Sequence, residues 1–544
     1  MARLKGSQFR FRKHDKVGFE GAEQDGEFLS DCFYDSGDLD RLRDPADPCC
    51  ILLGRTGAGK TALLVKLGNA EENTVWLDPQ CLSLQYLSNS TILTYLTDLG
   101  VDLDLFYRLL WRHIFTVELI KARFKLDSEQ DKRTFLQRAY GIVFGDKRKQ
   151  QAIDYLVEWG EHFWKDTEYR IREVTTKFES DVKSSLGMQA AAFEAGVGGG
   201  RHLSNEERHE IVHRAQAVVN SIQIRQLSDV IKLLAEDFLS EPQPRYYLVI
   251  DRLDEHWIED STRYRLIRAL IETIQDFRKV RSAKIIIALR RDLIERVIRL
   301  TRNAGFQEEK YEPLYLKLTW TRAQLLDLLD QRINKLVRRR YTGGSVTRHD
   351  VLPDRADGRP IDEFLIERTM YRPRDIIVLF NCLIDQAIDR PQITQTLLRN
   401  AEAEYSRRRY RSLGDEWNAD YPELLCFAEV LKKRPVTFHV RDLQDDQLVD
   451  KCLEVATTNK GEELWAWAND VVEEKMRLAD LRVGLVRVFY RVGLVGLKTE
   501  TFTSVTWSYA GRPEISRADI DENSIVHISP VFQRVLGARP DANA

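Results

Sequence analysis

The chain has 544 residues, 43% of them hydrophobic and 31% charged, with 29 Gly and 15 Pro; at roughly 100–200 residues per domain this means about three globular domains and excludes collagen-like, disordered and disulfide-dense classes. Its 82 Lys and Arg against 85 Asp and Glu leave a net charge of −3, so the chain is no basic nucleic-acid coat and such contacts would have to come from local patches. No apolar run approaches the ~18 residues of a membrane helix, the basic start lacks a signal-peptide core, and seven Cys without CxxC or Cys/His metal spacing read as reduced thiols of a cytoplasmic protein with no membrane partner.

Residues 1–16 hold six Lys/Arg (Arg3, Lys5, Arg10, Arg12, Lys13, Lys16) against one acid. The apolar run Cys49–Leu53 then predicts a buried parallel strand. It leads into Gly54-Arg55-Thr56-Gly57-Ala58-Gly59-Lys60-Thr61, which matches G-x-x-x-x-G-K-[ST], and into a helix from Ala62. Strand, glycine-rich turn and helix is the setting in which backbone N–H groups cradle phosphates. Gly54 to Ala62 are therefore the expected ATP-binding set. Lys60 would reach the β/γ oxygens and Thr61 would offer its hydroxyl to Mg²⁺.

A second strand is expected at Thr74–Asp78. Residues 97–240 read as mostly helical, with Phe106, Leu109, Leu110, His113 and Ile114 at helical spacing, and Leu227, Val230, Ile231, Leu234 and Phe238 likewise. The glycine-rich stretch Ala190–Gly200 breaks that pattern and reads as a connector, or as a loop for a pore or partner.

Tyr246–Ile250 followed by Asp251 fits the strand whose terminal carboxylate holds Mg²⁺ through water. Arg252 occupies the place where many such ATPases carry a water-polarising Glu, so the base would be Asp254 or Glu255; both could equally be helix-start acids. A helix capped by Ser261 should bury Tyr264, Ile267, Leu270, Ile271 and Ile274. The strand Lys284–Leu289 ends at Arg290, a candidate γ-phosphate reader or a plain ion-pair residue. Tyr315–Leu318 is the fifth strand. Thr321 and Gln324 form a capping box for the helix through Ile333.

Residues 322–400 are helical around a Gly/Pro/Asp loop at 341–360. After about 415, short helices (422–432, 462–474, 481–492) precede extended segments at 493–497, 501–509 and 524–529. Two further basic clusters stand at 332–348, with six Lys/Arg and no acid, and at 405–411, where four Arg alternate with Tyr405 and Tyr410. Both are candidates for nucleic-acid contact, the second with base stacking as well as backbone contact, or each is a solvated face balanced by acids nearby in the fold.

This layout resembles the AAA+ and STAND-type P-loop ATPases, particularly a sparsely characterised bacterial family with an origin-recognition-like arrangement. The matching stretches are Gly18–Phe33, the phosphate loop, Ile250–Trp257, Ile287–Asp292, Leu318–Thr321, Tyr371–Asp375, Asp415–Trp417 and Tyr421-Pro422. The resemblance implies an α/β P-loop NTPase core at 49–96 and 241–320 and a helical insertion at 97–240. It also implies a helical lid at 321–412, a winged-helix-like domain at 413–544, and an N-terminal segment at 1–48. It further implies a lid arginine turned to the nucleotide, matched by Arg374 or else Arg372, and homo-oligomers in which Arg299 or Arg302 could act on a neighbour. On this reading Lys60, Asp254 or Glu255, Arg290 and Arg374 carry catalysis, with Thr61 and Asp251 on the metal. The outcome would be ATP hydrolysis driving a conformational or assembly change, on DNA or in phage defence. The alternative is a nucleotide-dependent switch or scaffold with little turnover that binds a protein partner. A small-molecule kinase fits poorly, because it lacks the extra strand.

Overall fold

The computed structural model describes residues 10–80, 91–125, 205–221, 224–238, 244–255, 257–301, 308–341, 345–457, 463–499, 504–512 and 514–541, with short helical pieces between 134 and 185. The chain forms two compact units. A sheet unit comprises Asp35–Arg55 and Lys60–Leu318; a helical unit comprises Met1–Tyr34, Thr56–Gly59 and Thr319–Ala544.

The sheet unit is α/β. Its strands are β1 (Ile51–Gly54), β2 (Thr74–Leu77), β3 (Tyr246–Ile250), β4 (Ala283–Arg290) and β5 (Tyr315–Lys317). They form one sheet in the order β2-β3-β4-β1-β5, parallel at every pairing. Helices on a parallel sheet bury its strands on both sides, which is why these segments read as unbroken apolar runs. All five residues of β3 are buried. β4 lies between β1 and β3, with Gly54 opposite Arg290 and Ile250 opposite Ile287. The C-terminal ends of β1, β3 and β4 therefore share one edge, where open parallel sheets bind ligands.

Helix α1 (Lys60–Ala70) follows β1, α2 (Asp104–Phe124) lies before β3, and α3 (Asp260–Phe277) and α4 (Arg291–Leu300) flank β4. The expected apolar face of α3 is buried at Tyr264, Ile267, Leu270, Ile271 and Ile274. Its start differs from the expectation: the helix begins at Asp260 after Glu259, and Ser261 lies inside it, its hydroxyl donating to the Glu259 carboxylate at 3.1 Å. An acid at the first helical position suits the positive end of the helix, so the hydroxyl is not needed as the cap. On α2, Phe106, Leu110, His113 and Ile114 are buried, and the Trp111 indole donates to the Leu266 carbonyl at 2.9 Å. The glycine-rich stretch 190–200 and the side chains of Leu227 and Phe238 lie outside the described residues.

In the helical unit, α5 (Arg322–Tyr341), α6 (Pro373–Gln386) and α7 (Gln395–Trp417) come first. The capping box of α5 forms as read: the Thr321 amide donates to Gln324 at 2.8 Å, and the Gln324 amide to the Thr321 hydroxyl at 3.3 Å. Helix α6 starts at Pro373, which fits the first turn, where no amide donor is needed. Next come β6 (Thr437–His439), α8 (Asp445–Ala456), α9 (Glu463–Val472), α10 (Leu478–Val492), β7 (Val495–Lys498) and β8 (Ile525–Ile528). These strands make an antiparallel sheet in the order β6-β8-β7. Of the strand expected at 501–509, only a bridge between Leu497 and Thr506 is seen among the described residues. The segment around Val17–Asp25 is pinned to α5 and α6: Arg332 pairs with Asp25 at 2.5 Å, both 4% exposed, and the Val17 amide donates to Asn381 at 3.0 Å.

Candidate functional site

The loop after β1 turns through left-handed glycines, Gly57 at φ +78° and Gly59 at φ +98°. Backbone of that hand is costly for any residue with a Cβ. Lys60 and Thr61 then open α1, with Ala62 behind them in its first turn.

Within the sheet unit, the Thr61 hydroxyl donates to Asp251 Oδ2 at 2.7 Å. The Lys60 ammonium is folded back on its own loop, donating to the carbonyls of Gly54 at 3.1 Å and Arg55 at 3.2 Å. Burial lowers the Lys60 pKa; Asp254 and Asp251 oppose the shift and Arg290 adds to it. Arg290, 15% exposed, is bidentate on Asp292 at 3.1 and 2.7 Å and stands 3.8 Å from Asp254. Lys60, Thr61, Asp251, Asp254 and Arg290 thus converge at the shared strand edge. Asp292 joins them; its place directly after the strand-end arginines was the only sign of it in the sequence.

The two candidate bases part company here. Asp254 faces Arg290 and the Lys60 field. Glu255 accepts from Gln80 at 2.8 Å and lies 3.8 Å from Arg252. Burial raises the Glu255 pKa, against the pull of Arg252. Arg252 itself has φ +59°, so the backbone turns left-handed directly after Asp251.

The tip of the loop, residues 56–59, belongs to the helical unit. There three successive carbonyls are each taken by a donor. Thr56 accepts from Arg372 Nη1 at 3.1 Å, Gly57 from the Arg374 amide at 3.4 Å, and Ala58 from the Trp320 indole at 2.8 Å. A Cβ on Gly57 would stand 2.9 Å from the Arg374 Cβ. The Arg374 guanidinium donates to the Glu20 carbonyl at 3.3 Å. Arg372, runner-up for the lid role, is 3% exposed and pairs with Glu416 at 3.0 Å. Trp320 lies within the matching stretch Leu318–Thr321, and its spacing from the loop in sequence signals no role.

Two basic clusters are partly committed to acids, with Arg332 and Arg409 buried while Arg338, Arg407, Arg408 and Arg411 stay exposed. At 405–411, Tyr405 is fully buried, with its hydroxyl on the Arg368 carbonyl at 2.6 Å, so it is closed to a base. Arg409 reaches Asp375 at 3.1 Å, and Arg407 and Arg408 both pair with Glu404. At 332–348, Arg332 is committed to Asp25, Lys335 to Asp31, and Arg348 to Asp330 and Asp362. Glu404 and Asp330 stand just outside the clusters, whereas Asp25, Asp31 and Asp375 come from distant parts of the chain that a local count could not see. At 1–16, Arg10, Arg12, Lys13 and Lys16 are exposed, while Arg3 and Lys5 lie outside the described residues. Arg299 is exposed on α4, and Arg302 lies outside the described residues. No described helix is long and apolar enough to cross a membrane.

A family model described as the FunZ-associated C-terminal helical domain matches residues 323–414, the stretch that holds α5, α6 and most of α7. The transposon gamma-delta 80.3 kDa protein of Escherichia coli (strain K12) is 22% identical over 529 residues, covering 95% of this chain and 66% of that protein. The chain thus spans just under two thirds of that relative's length. Among solved structures, Cdc6p from Pyrobaculum aerophilum aligns with 91% of this chain and 90% of its own at 12% identity, with a TM-score of 0.26. The fold assignment rests on the strand order above.

Proposed function

We propose that this chain binds ATP with Mg²⁺ and hydrolyses it to drive a conformational or assembly change. The observation that carries the reading is the Thr61–Asp251 contact at 2.7 Å beside the buried ammonium of Lys60. Hard oxygen donors from two elements, completed by waters and phosphate oxygens, are what Mg²⁺ takes at such sites. Thr61 and Asp251 would hold the ion, which would supply positive charge against the phosphates. Loop amides and Lys60 would hold the triphosphate, Asp254 would polarise the attacking water, and Arg290 would meet the γ-phosphate, with Arg374 as the lid arginine. On this reading residues 49–96 and 241–320 are an AAA+-like core with 97–240 as a helical insertion, 321–412 a lid, and 413–544 a winged-helix-like domain in a STAND-type cytoplasmic homo-oligomer. Phosphate release by the purified chain, lost in Lys60→Ala, is the test; an unaltered rate in that variant would end the assignment.

A second reading, a switch or scaffold with little turnover, is favoured by one observation. Asp254 is already paired with Arg290, while Glu255 is turned to Arg252 and Gln80. Tight ATP binding without steady phosphate release would select it.

For a target, the pairing within two basic clusters favours a protein partner, including one met in phage defence. DNA remains the alternative through the exposed side chains of Arg10, Arg12, Lys13 and Lys16, and the relative's name attaches it to a transposon. ATPase measured with and without single-stranded and duplex DNA, at two salt concentrations, separates them. Stimulation that fades with salt selects DNA.

A further inference from the structure

In a trans peptide the C=O and the following N–H point in opposite directions. The donors on the carbonyls of Thr56, Gly57 and Ala58 therefore aim the amides of Gly57, Ala58 and Gly59 the other way, as an anion cradle requires. Two of these three donors are side chains, and neither is free to swing. The Trp320 ring packs 5.9 Å from Tyr34. Arg372 is one of four buried charges: it pairs with Glu416 at 3.0 Å and lies 3.9 Å from Asp375, while Arg409 lies 3.1 Å from Asp375 and 3.7 Å from Glu416. All four are at most 5% exposed. Two cations and two anions in one dry cluster balance, and each charge removed leaves another unpaired.

The backbone that delivers Arg372 is strained as well. Met370 at φ 45° and Tyr371 at φ 54° are consecutive left-handed residues with side chains. Such conformations persist where the surroundings over-determine them, and they gather at functional sites. α6 starts directly afterwards at Pro373, so the strained turn sets the place of Arg372 at the helix start.

We propose that Trp320 and Arg372 are positioning residues that clamp the carbonyls of the phosphate loop, so that its amides stay aimed at the α- and β-phosphates shared by ATP and ADP. This rests on the reading of Gly54–Thr61 as a phosphate loop, and it separates Arg372 from any direct contact with the γ-phosphate.

The test uses the full chain and two variants, Trp320→Phe, which removes one donor and keeps an aromatic ring, and Arg372→Lys. Affinities for Mg²⁺-ATP and Mg²⁺-ADP are measured at equilibrium, together with the melting temperature of the nucleotide-free protein. Both nucleotides are expected to weaken by the same factor, roughly tenfold for the loss of one such hydrogen bond, with the ATP:ADP ratio of the wild type and an unchanged melting temperature. A loss confined to ATP, unchanged affinities, or a loss that tracks a lowered melting temperature overturns the proposal. If Arg372→Lys does not fold, Trp320→Phe decides alone. A wild-type chain that binds neither nucleotide ends the phosphate-loop reading itself, a failure distinct from that of the clamp.

Discussion

Thr61 and Asp251 stand 190 positions apart, yet the hydroxyl of one donates to the carboxylate of the other at 2.7 Å. The sheet explains the meeting. β1 and β3 flank β4 and run parallel to it, so the residues that follow β1 and β3 emerge at one edge. Whatever separates the two strands in sequence has no bearing on that distance.

The shared oxygens lead to a contrast between two variants. Lys60→Ala removes the ammonium that, on the proposed reading, would meet the phosphates, and should weaken nucleotide binding with or without metal. Asp251→Asn keeps the size and the acceptor but removes the charge that favours a cation. It should weaken Mg²⁺-ATP by roughly tenfold or more while leaving metal-free ATP nearly unaffected. Calorimetric titration in Mg²⁺ and in EDTA reads both. Equal losses of Asp251→Asn in the two buffers would remove Asp251 from the metal.

For the base, geometry prefers Asp254. It lies 3.8 Å from Arg290 at the convergent edge, whereas the Glu255 carboxylate is engaged by Gln80 at 2.8 Å. Asp254→Asn should lower kcat by about 10²-fold or more, the usual worth of a general base, with KM for ATP little changed. Glu255→Gln should leave the rate close to wild type. Steady-state kinetics on the two proteins decides, and the reverse ranking would return the role to Glu255.

What was legible in the sequence shares a physical origin. The glycine-rich turn after β1 is contiguous, and β1, β3 and β4 are buried along nearly their whole length, so neither needs a distant partner to be recognised. The same holds for the apolar face of α3 and the capping box at Thr321 and Gln324. What failed to show depends on long-range pairing. Asp25 and Arg332, 307 positions apart, neutralise each other in the interior, and Asp375 and Glu416 do the same for Arg372 and Arg409. Runs of arginines therefore looked uniformly like surface, although Arg332 and Arg409 within them are core. Trp320 was missed for the same reason: its partner is a backbone carbonyl at Ala58, which carries no side-chain signature.

Gly57 gives a stability test with its own control. Alanine there must adopt φ +78° and set its Cβ 2.9 Å from the Arg374 Cβ. The backbone term alone is about 1–2 kcal/mol, and the displaced loop should lose nucleotide affinity as well. Gly100, at φ +83° with nothing within 4 Å of an added Cβ, carries only the backbone term. Denaturant melts should show both Gly57→Ala and Gly100→Ala destabilised, and ATP titration should show only Gly57→Ala impaired. Matched affinities in the two variants would mean that the loop tip tolerates a side chain.

Lys284 supplies a pH dependence of known sign. Its ammonium sits at the start of β4 and donates to the carbonyls of Arg41 and Asp44, each at 2.7 Å. Burial pushes its pKa down from 10.5 to about 8, with Cys50 and Asp47 opposing the shift. Between those values the unfolded chain holds the proton and the folded chain has released it, so stability rises with pH across the window. Below about 8 both states are protonated and the folded state bears the full desolvation cost. The thiols work the other way: burial raises Cys50 to about 12 and raises Cys32, Cys49, Cys382, Cys426 and Cys452 as well, so ionisation of the unfolded chain's thiols as pH approaches 9 lowers stability. From pH 8 to 9 the Lys284 contribution should therefore raise unfolding free energy by about 1 kcal/mol. In Lys284→Met, whose side chain reaches the same place without a charge, the thiol contribution remains, so the wild-type slope should exceed the variant's by the Lys284 contribution. Urea melts of both proteins at pH 8.0, 8.5 and 9.0 measure the difference. Parallel slopes would show that the two carbonyls hold the ammonium charged within the fold through this range.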